Sequence, residues 1–222
     1  VDSISDAVEG KHYKLLSNTV TIKAGECSAN VQVQGIYDNI DIDDYLTVGL
    51  RLVIPKEEQW SLYGIDSKVI LQKACPFDIN SFTGYCKVTS TFFDDYMQNV
   101  TMRLIKTSVN PEKENSVILH DLYYNGHDIV LDFDRDNLLE PLVSMEEQVC
   151  GTTAEAFGTI YGDGNLLMYQ PTMYTSYYST CEKFVLQYVT LYVNGVGTVG
   201  TYVNILEWIS DAEAEKLKEQ GY

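Results

Sequence analysis

Until its last dozen residues this chain reads as strand and turn, which makes it an all-β protein of two domains closed by one helix. Three features point there. Short runs rich in β-branched and aromatic residues recur along the chain, each bounded by Gly, Asn or Asp. The 222 residues include 17 Tyr, a residue suited to half-buried strand faces. The pattern breaks at "ILQKACPFDINSFTG" (70–84), where Pro76 and polar residues interrupt the strands, so a boundary is expected near Lys73.

In the first domain, residues 1–73, strands are expected over "TVTIK" (19–23), "SANVQV" (28–33), "YLTVGLRLV" (45–53) and "SKVIL" (67–71). "AGE" (24–26) supplies the turn between the first two, with Gly25 for the permissive backbone. The second domain, residues 74–222, continues with "GYCKVTSTFF" (84–93), "NVTMRLIKT" (99–107), "SVILHDLYY" (116–124), "HDIVLDFD" (127–134) and "LVSMEEQV" (142–149). Then come "EAFGTIYG" (155–162), "NLLMYQ" (165–170), "KFVLQYVTLYV" (183–193) and "VGTYVNILEWI" (199–209), with "YGDGN" (161–165) as a turn. So many short strands joined by short connections predict an antiparallel barrel or sandwich. The closing "SDAEAEKLKEQGY" predicts a helix over 210–220. Ser210 and Glu213 fit a capping box, acids precede lysines along it, and Gly221 stands at its end.

Composition narrows the partners. The chain carries a net charge of −17. Phosphate backbones and anionic membrane surfaces need clustered Lys and Arg, so neither is an expected partner; a cation or a neutral polymer is. The acidity belongs mainly to residues 75–222, which hold 8 basic and 21 acidic side chains. No run of 18 apolar residues is present to span a membrane. The chain opens on Val1, without an initiator Met, as a processed product would. Five Cys leave at least one thiol unpaired within the chain. A Cys75–Cys86 bridge across "CPFDINSFTGYC" is one arrangement; buried apolar thiols are the other.

"HDLYYNGHDIVLDFD" (120–134) holds two His-Asp pairs and tests for a metal centre. Asn125-Gly126 is a strong two-residue hairpin signal. With that turn, His120, Leu122, Tyr124, His127, Ile129, Leu131 and Phe133 share one face, and His120 becomes a core-edge residue. His120 then lies roughly 13 Å from the turn end at 3.3 Å per residue, too far to share one zinc with His127. Asp121, Asp128, Asp132 and Asp134 form the opposite, solvated face.

Two stretches remain as candidate sites. Asp38, Asp41, Asp43 and Asp44 in "YDNIDIDDY" (37–45) are hard oxygen donors in a loop, and calcium is the cation such a set takes; the alternative is a polar connection between strands. "MYQPTMYTSYYSTCEKF" (168–184) presents Tyr169, Tyr174, Tyr177 and Tyr178, whose rings stack on sugar faces while their hydroxyls bond; the alternative is a cover for the barrel end. There is no nucleophile elbow, no phosphate loop and no dinucleotide fingerprint, and only His12, His120 and His127 to serve a triad. His12 is expected at the surface. A non-enzymatic protein is therefore expected, with no cofactor other than calcium.

The stretch 7–53 resembles Calx-β-type immunoglobulin-like modules. The carrying residues are Ala7, Gly10 and Tyr13, an apolar strand, "AGE", a second alternating strand, and Asp43-Asp44 ahead of "LTVGLRLV". The resemblance implies an immunoglobulin-like sandwich whose first strands would precede Val1. The whole chain, through "GYCKVTSTFF", "GTIYGDGNLLMY", "SYYSTCEKFVLQYVTLYV" and "LEWISDAEAEKLKEQG", resembles two-domain envelope lipoproteins of gut Bacteroidetes. These pair such a sandwich with a lipocalin-like β-barrel. That implies an outer-membrane lipoprotein, periplasmic or surface-exposed, anchored by a lipid upstream of Val1. Glycan or other extracellular ligand binding, accessory to a surface system, is the leading expectation. A β edge that engages an envelope protein partner and an apolar small-ligand carrier are the rivals.

Overall fold

The computed structural model describes residues 5–53, 65–137 and 140–222. The chain divides into two compact units, Val1–Ala74 and Cys75–Tyr222. Strand is the dominant regular structure, at 41% against 13% helix, so the chain is a β protein. Among the described residues no helix is long and apolar enough to cross a membrane.

The first unit contains two antiparallel pairs. β1 (Tyr13–Leu15) lies against β2 (Val33–Gly35), and β3 (Tyr45–Arg51) against β4 (Asp66–Gln72). Ala7, Tyr13, Ile40, Val48 and Leu71 form a small core, so Ala7 and Tyr13 of the opening pattern are packing residues. The Ala7 backbone N–H donates to the Thr47 carbonyl at 3.1 Å, which ties the opening segment to β3.

Two expectations for this unit are corrected. Residues 19–23 and 28–32 are not strands, although the Lys23–Glu26 turn between them forms. Val20, Ile22 and Val31 are exposed. Alternating sequence makes a strand only where a ladder partner and a face to bury are both present. His12 is buried rather than at the surface, and its Nδ1 accepts from the Val8 backbone N–H at 3.0 Å.

The second unit runs β5 (Gly84–Ser90), α1 (Thr91–Tyr96), β6 (Arg103–Val109), β7 (Ser116–His120) and β8 (Ile129–Phe133). It continues with β9 (Val143–Ser144), β10 (Gln148–Thr152), α2 (Thr153–Phe157), β11 (Asn165–Tyr169) and β12 (Tyr177–Ser179). β13 (Phe184–Val193), β14 (Gly197–Ile209) and α3 (Asp211–Glu219) complete it. One antiparallel sheet curls into a half-barrel in the order β10-β11-β13-β14-β5-β6-β7-β8-β9. β13 is long enough to take two partners on one side, β11 along its second half and β12 along its first.

The two edges of this sheet are tied to each other. Val143 N–H donates to the Ser176 carbonyl at 3.1 Å and Tyr178 N–H to the Pro141 carbonyl at 2.9 Å. The Gln148 side-chain amide accepts from Val130 N–H at 2.7 Å and donates to the Val130 carbonyl at 2.8 Å. It stands in for the peptide group a neighbouring strand would offer to β8. Edge groups that would otherwise face solvent unpaired are thereby covered.

Alternation sends one face of every strand inward. Cys86 and Val88 of β5, Val117 and Leu119 of β7, Ile129 and Leu131 of β8 and Val185 and Val189 of β13 are fully buried. At one end Phe77, Phe82, Phe133, Tyr178 and Trp208 interlock, with Phe82 at 4.5 Å from Phe133 and edge-on to Trp208 at 5.1 Å. At the other end Phe92 packs against Tyr96, Tyr123 and Tyr202. Between the aromatic ends lies a buried polar layer. Asn204 Oδ1 accepts from Ser90 Oγ at 2.6 Å and from the Tyr123 hydroxyl at 2.8 Å, while its Nδ2 donates to Gln187 Oε1 at 3.1 Å.

The predicted closing helix stands as α3. Ser210 and Glu213 form the reciprocal capping box. Gly221, at φ +95°, lets Tyr222 N–H reach the Leu217 carbonyl, the hydrogen bond of a Schellman end. The bond from Ser210 holds the Glu213 carboxyl below its usual value.

Three segments expected as strand differ. β5 stops at Ser90, whose hydroxyl caps α1 by accepting from Phe92 N–H, because Phe92 and Phe93 reach the core only from a helical turn. "EAFGTIYG" begins inside α2, capped by Thr152 and Glu155 and ended by Gly158 in the left-handed region. The Asn125-Gly126 hairpin does not form: Leu119 pairs with Ile129 and Val117 with Leu131. The intervening loop instead carries Leu122 and Tyr123 into the core, with Asp121 at φ +57° and Gly126 at φ +84°. Burying these two side chains outweighs the local turn preference.

The disulfide joins Cys75 to Cys181, so the Cys75–Cys86 pairing is overturned. Cys86 and Cys150 are free and buried, and burial pushes the Cys150 thiol up to about 12. Cys27 is free and exposed.

Candidate aromatic binding face

Strand alternation decides which of the four predicted tyrosines can meet a ligand. On β12 Tyr177 points out, at 41% exposed, and Tyr178 points in, at 1%. Tyr178 is a core residue whose hydroxyl donates to the Asp134 carbonyl at 3.0 Å, so it is removed from the binding set. Tyr169 and Tyr174 are exposed at 37% and 47%.

What the sequence did not reveal is what these three rings stand beside. On β13 Val185, Gln187, Val189, Leu191 and Val193 face inward, which leaves Phe184, Tyr188 and Tyr192 on the outer face. Each meets one of the predicted tyrosines. Tyr177 lies edge-on to Phe184 at 6.0 Å, Tyr174 stacks on Tyr188 at 5.0 Å and 17°, and Tyr169 lies edge-on to Tyr192 at 5.7 Å. The pairs recur every four residues, about 13 Å apart, and span about 26 Å along one strand.

Polar groups flank both ends. Beside Tyr177 a recess of about 530 Å³ is lined by Glu140, Pro141, Leu142 and Thr175. At the other end the Tyr192 hydroxyl bonds to the Glu147 carboxylate, which holds that phenol above its usual value, with Asp163 adding to the effect. Rings that offer faces, with carboxylates and a hydroxyl at the margins, can stack on sugars and accept their hydroxyl protons.

The four acids read as calcium donors lie in a hydrogen-bonded loop of the first unit. Asp44 Oδ2 accepts from Asp41 N–H at 2.9 Å, and Asp38 sits in the first turn of a 3-10 helix at Tyr37–Asn39. Asp38, Asp41, Asp43 and Asp44 are the hard oxygen donors of this loop; among the described residues no group of three or more His, Cys, Asp or Glu side chains is gathered as metal ligands would be.

His120 is also placed differently from its expected core edge. It stands on the outer face of β7, where Nε2 meets Ser108 Oγ at 2.8 Å and Nδ1 meets Asp128 Oδ2 at 2.9 Å. This is the contact order of an acyl-transfer relay. It lies open to solvent, with the His120 and Asp128 side chains 35% and 51% exposed, whereas such relays act in dry, donor-lined cavities. Its effect on the fold is to fasten the 121–128 loop to β6. His120→Ala is expected to lower stability by only about 1 kcal/mol, because water can satisfy Ser108 and Asp128. Ser108 is expected to stay unlabelled by a fluorophosphonate probe, as read by intact mass; stoichiometric labelling would support an enzymatic reading.

No curated protein and no solved structure matches the chain at a significant level. A family model does match, over residues 62–220, which takes in β4 and nearly all of the second unit. On that match the chain belongs to the family described as domain of unknown function DUF4984.

Proposed function

We propose that the second unit is a non-catalytic glycan-binding module of the cell envelope, which holds an extended neutral or cationic polysaccharide along the outer face of β13. The observation that carries the reading is the ladder of three aromatic pairs, Tyr177–Phe184, Tyr174–Tyr188 and Tyr169–Tyr192. The net charge of −17 disfavours acidic polymers. A bond between Cys75 and Cys181 suits an oxidising compartment such as the envelope. The resemblance to anchored envelope lipoproteins supports attachment through a lipid and service to a surface system.

The test is native affinity electrophoresis against a panel of host and plant polysaccharides, with calcium and with chelator. Retardation by at least one neutral glycan is expected, equal in both conditions. Tyr174→Ala is expected to weaken it about tenfold, equivalent to about 1.4 kcal/mol, without changing the melting temperature. Retardation that survives Tyr174→Ala and Tyr169→Ala unchanged would remove the ladder from the reading.

The first unit supports a second reading, engagement of a partner chain through a β edge. Exposed Val20, Ile22 and Val31 lie in segments of strand-like sequence without a ladder. Backbone amides of 19–23 and 28–32 that exchange with solvent as fast in a complex as in isolation would count against it.

A further inference from the structure

A second aromatic feature lies apart from the β13 ladder. A cleft of about 310 Å³ opens between α1, the 158–164 turn and the β13–β14 hairpin. Tyr96, Phe157 and Tyr161 wall it, and Val193, Val196 and Val199 supply its aliphatic contacts. The three rings stand nearly perpendicular in sequence. Tyr96 meets Phe157 at 5.4 Å and 80°, and Phe157 meets Tyr161 at 5.9 Å and 69°.

The walls are held in place before any ligand arrives. Tyr96 stacks on buried Phe92 at 5.1 Å and its hydroxyl bonds to that of Tyr202. Tyr161 N–H donates to Thr153 Oγ1 at 3.0 Å. Gly162, at φ +57°, brings the turn so close to the hairpin that a Cβ there would stand 2.5 Å from the Asn194 carbonyl. The segments that build the cleft, 91–96, 153–164 and 193–199, contain Asp94, Asp95, Glu155 and Asp163 and no Lys or Arg.

Three aromatic rings line this one cleft, and a cation is the group that ring faces attract. The residues that line the cleft carry no charge, so no lysine or arginine there competes with a bound cation. A primary ammonium would lose its hydration against the three valines and find few acceptors. A quaternary ammonium has no N–H to satisfy, and its methyl groups fit the valines. We propose that this cleft binds a quaternary-ammonium head group of the trimethylammonium class, carried by a small soluble solute such as choline or betaine.

Calorimetric titration of the full chain with choline tests this against 3,3-dimethylbutan-1-ol, in which carbon replaces the charged nitrogen at nearly the same shape. Choline is expected to bind about tenfold more tightly than its uncharged isostere, the margin that cation–π contact supplies. Tyr161→Leu, which keeps an apolar side chain at an exposed position, is expected to erase that preference while the melting temperature holds. Equal binding of the two compounds, or no choline binding by the folded chain, overturns the proposal. Sedimentation with phosphatidylcholine vesicles without binding of free choline also overturns it, in favour of a lipid surface. None of these outcomes touches the β13 ladder, whose test uses different residues and different ligands.

Discussion

Cys181→Ser is expected to lower the unfolding free energy of the second unit by about 4 kcal/mol, the loop-entropy value for a bond closing on the order of a hundred residues. The Cys75–Cys181 bond has a sequence separation of 106 and ties the segment before β5 to the turn between β12 and β13. In the oxidised unfolded chain that loop is already closed, so folding loses less entropy. Cys75→Ser, the double substitution and reduction of the wild type should all give the same loss in urea titrations. A loss below about 1 kcal/mol would mean that the bond constrains neither state. Thiol titration provides an independent check. Cys27, Cys86 and Cys150 are free, and Cys27 alone is exposed, so the native protein should react at Cys27 and the unreduced, denatured protein at all three.

Asn204→Leu is expected to cost about 3–5 kcal/mol, although it replaces a polar core residue by an apolar one of similar size. Asn204 is fully buried and serves three partners at once: Ser90, Tyr123 and Gln187. Leucine leaves two hydroxyls and an amide oxygen in the interior without their partner, and each such loss costs about 1–3 kcal/mol. Tyr123→Phe removes one donor and leaves Asn204 Oδ1 still bonded to Ser90, so about 1 kcal/mol is expected there. Burial already holds the Tyr123 phenol far above its usual value, so it stays protonated and donating through the alkaline range in which exposed tyrosines ionise. Urea midpoints of the two variants decide the matter: if Asn204→Leu costs no more than Tyr123→Phe, the polar layer does not act as a unit.

The elements that could be read from sequence are those whose cause is local. α3 is specified within a few residues by Ser210, Glu213 and Gly221. β11, β13 and β14 alternate over their lengths and bury the faces that alternation implies. The same local rule would have found α2, since Thr152 and Glu155 form a second capping box; the β-branched residues around them masked it. Ser90 ahead of "TFFDDY" was a similar signal for the start of α1.

Where long-range burial competes with local preference, sequence reading fails. Asn125-Gly126 favours a tight hairpin on its own, yet Leu122 and Tyr123 are drawn into the core and the register moves with them. In the first unit "TVTIK" and "SANVQV" have strand composition, yet only Val33 at the end of the second joins a ladder. The tyrosine-rich stretch was legible as a group, but its division into outward Tyr177 and inward Tyr178 depended on where β12 joins β13.

A β protein, its closing helix, its acidity and a concentration of tyrosines late in the chain can all be read along the chain, because composition, alternation and capping act over a few residues. The folded sheet alone brings Cys75 to Cys181, Ser108 to His120, and three exposed tyrosines to Phe184, Tyr188 and Tyr192. Each of those meetings depends on strand register, which is set by the burial of whole faces across the sheet rather than by neighbours along the chain.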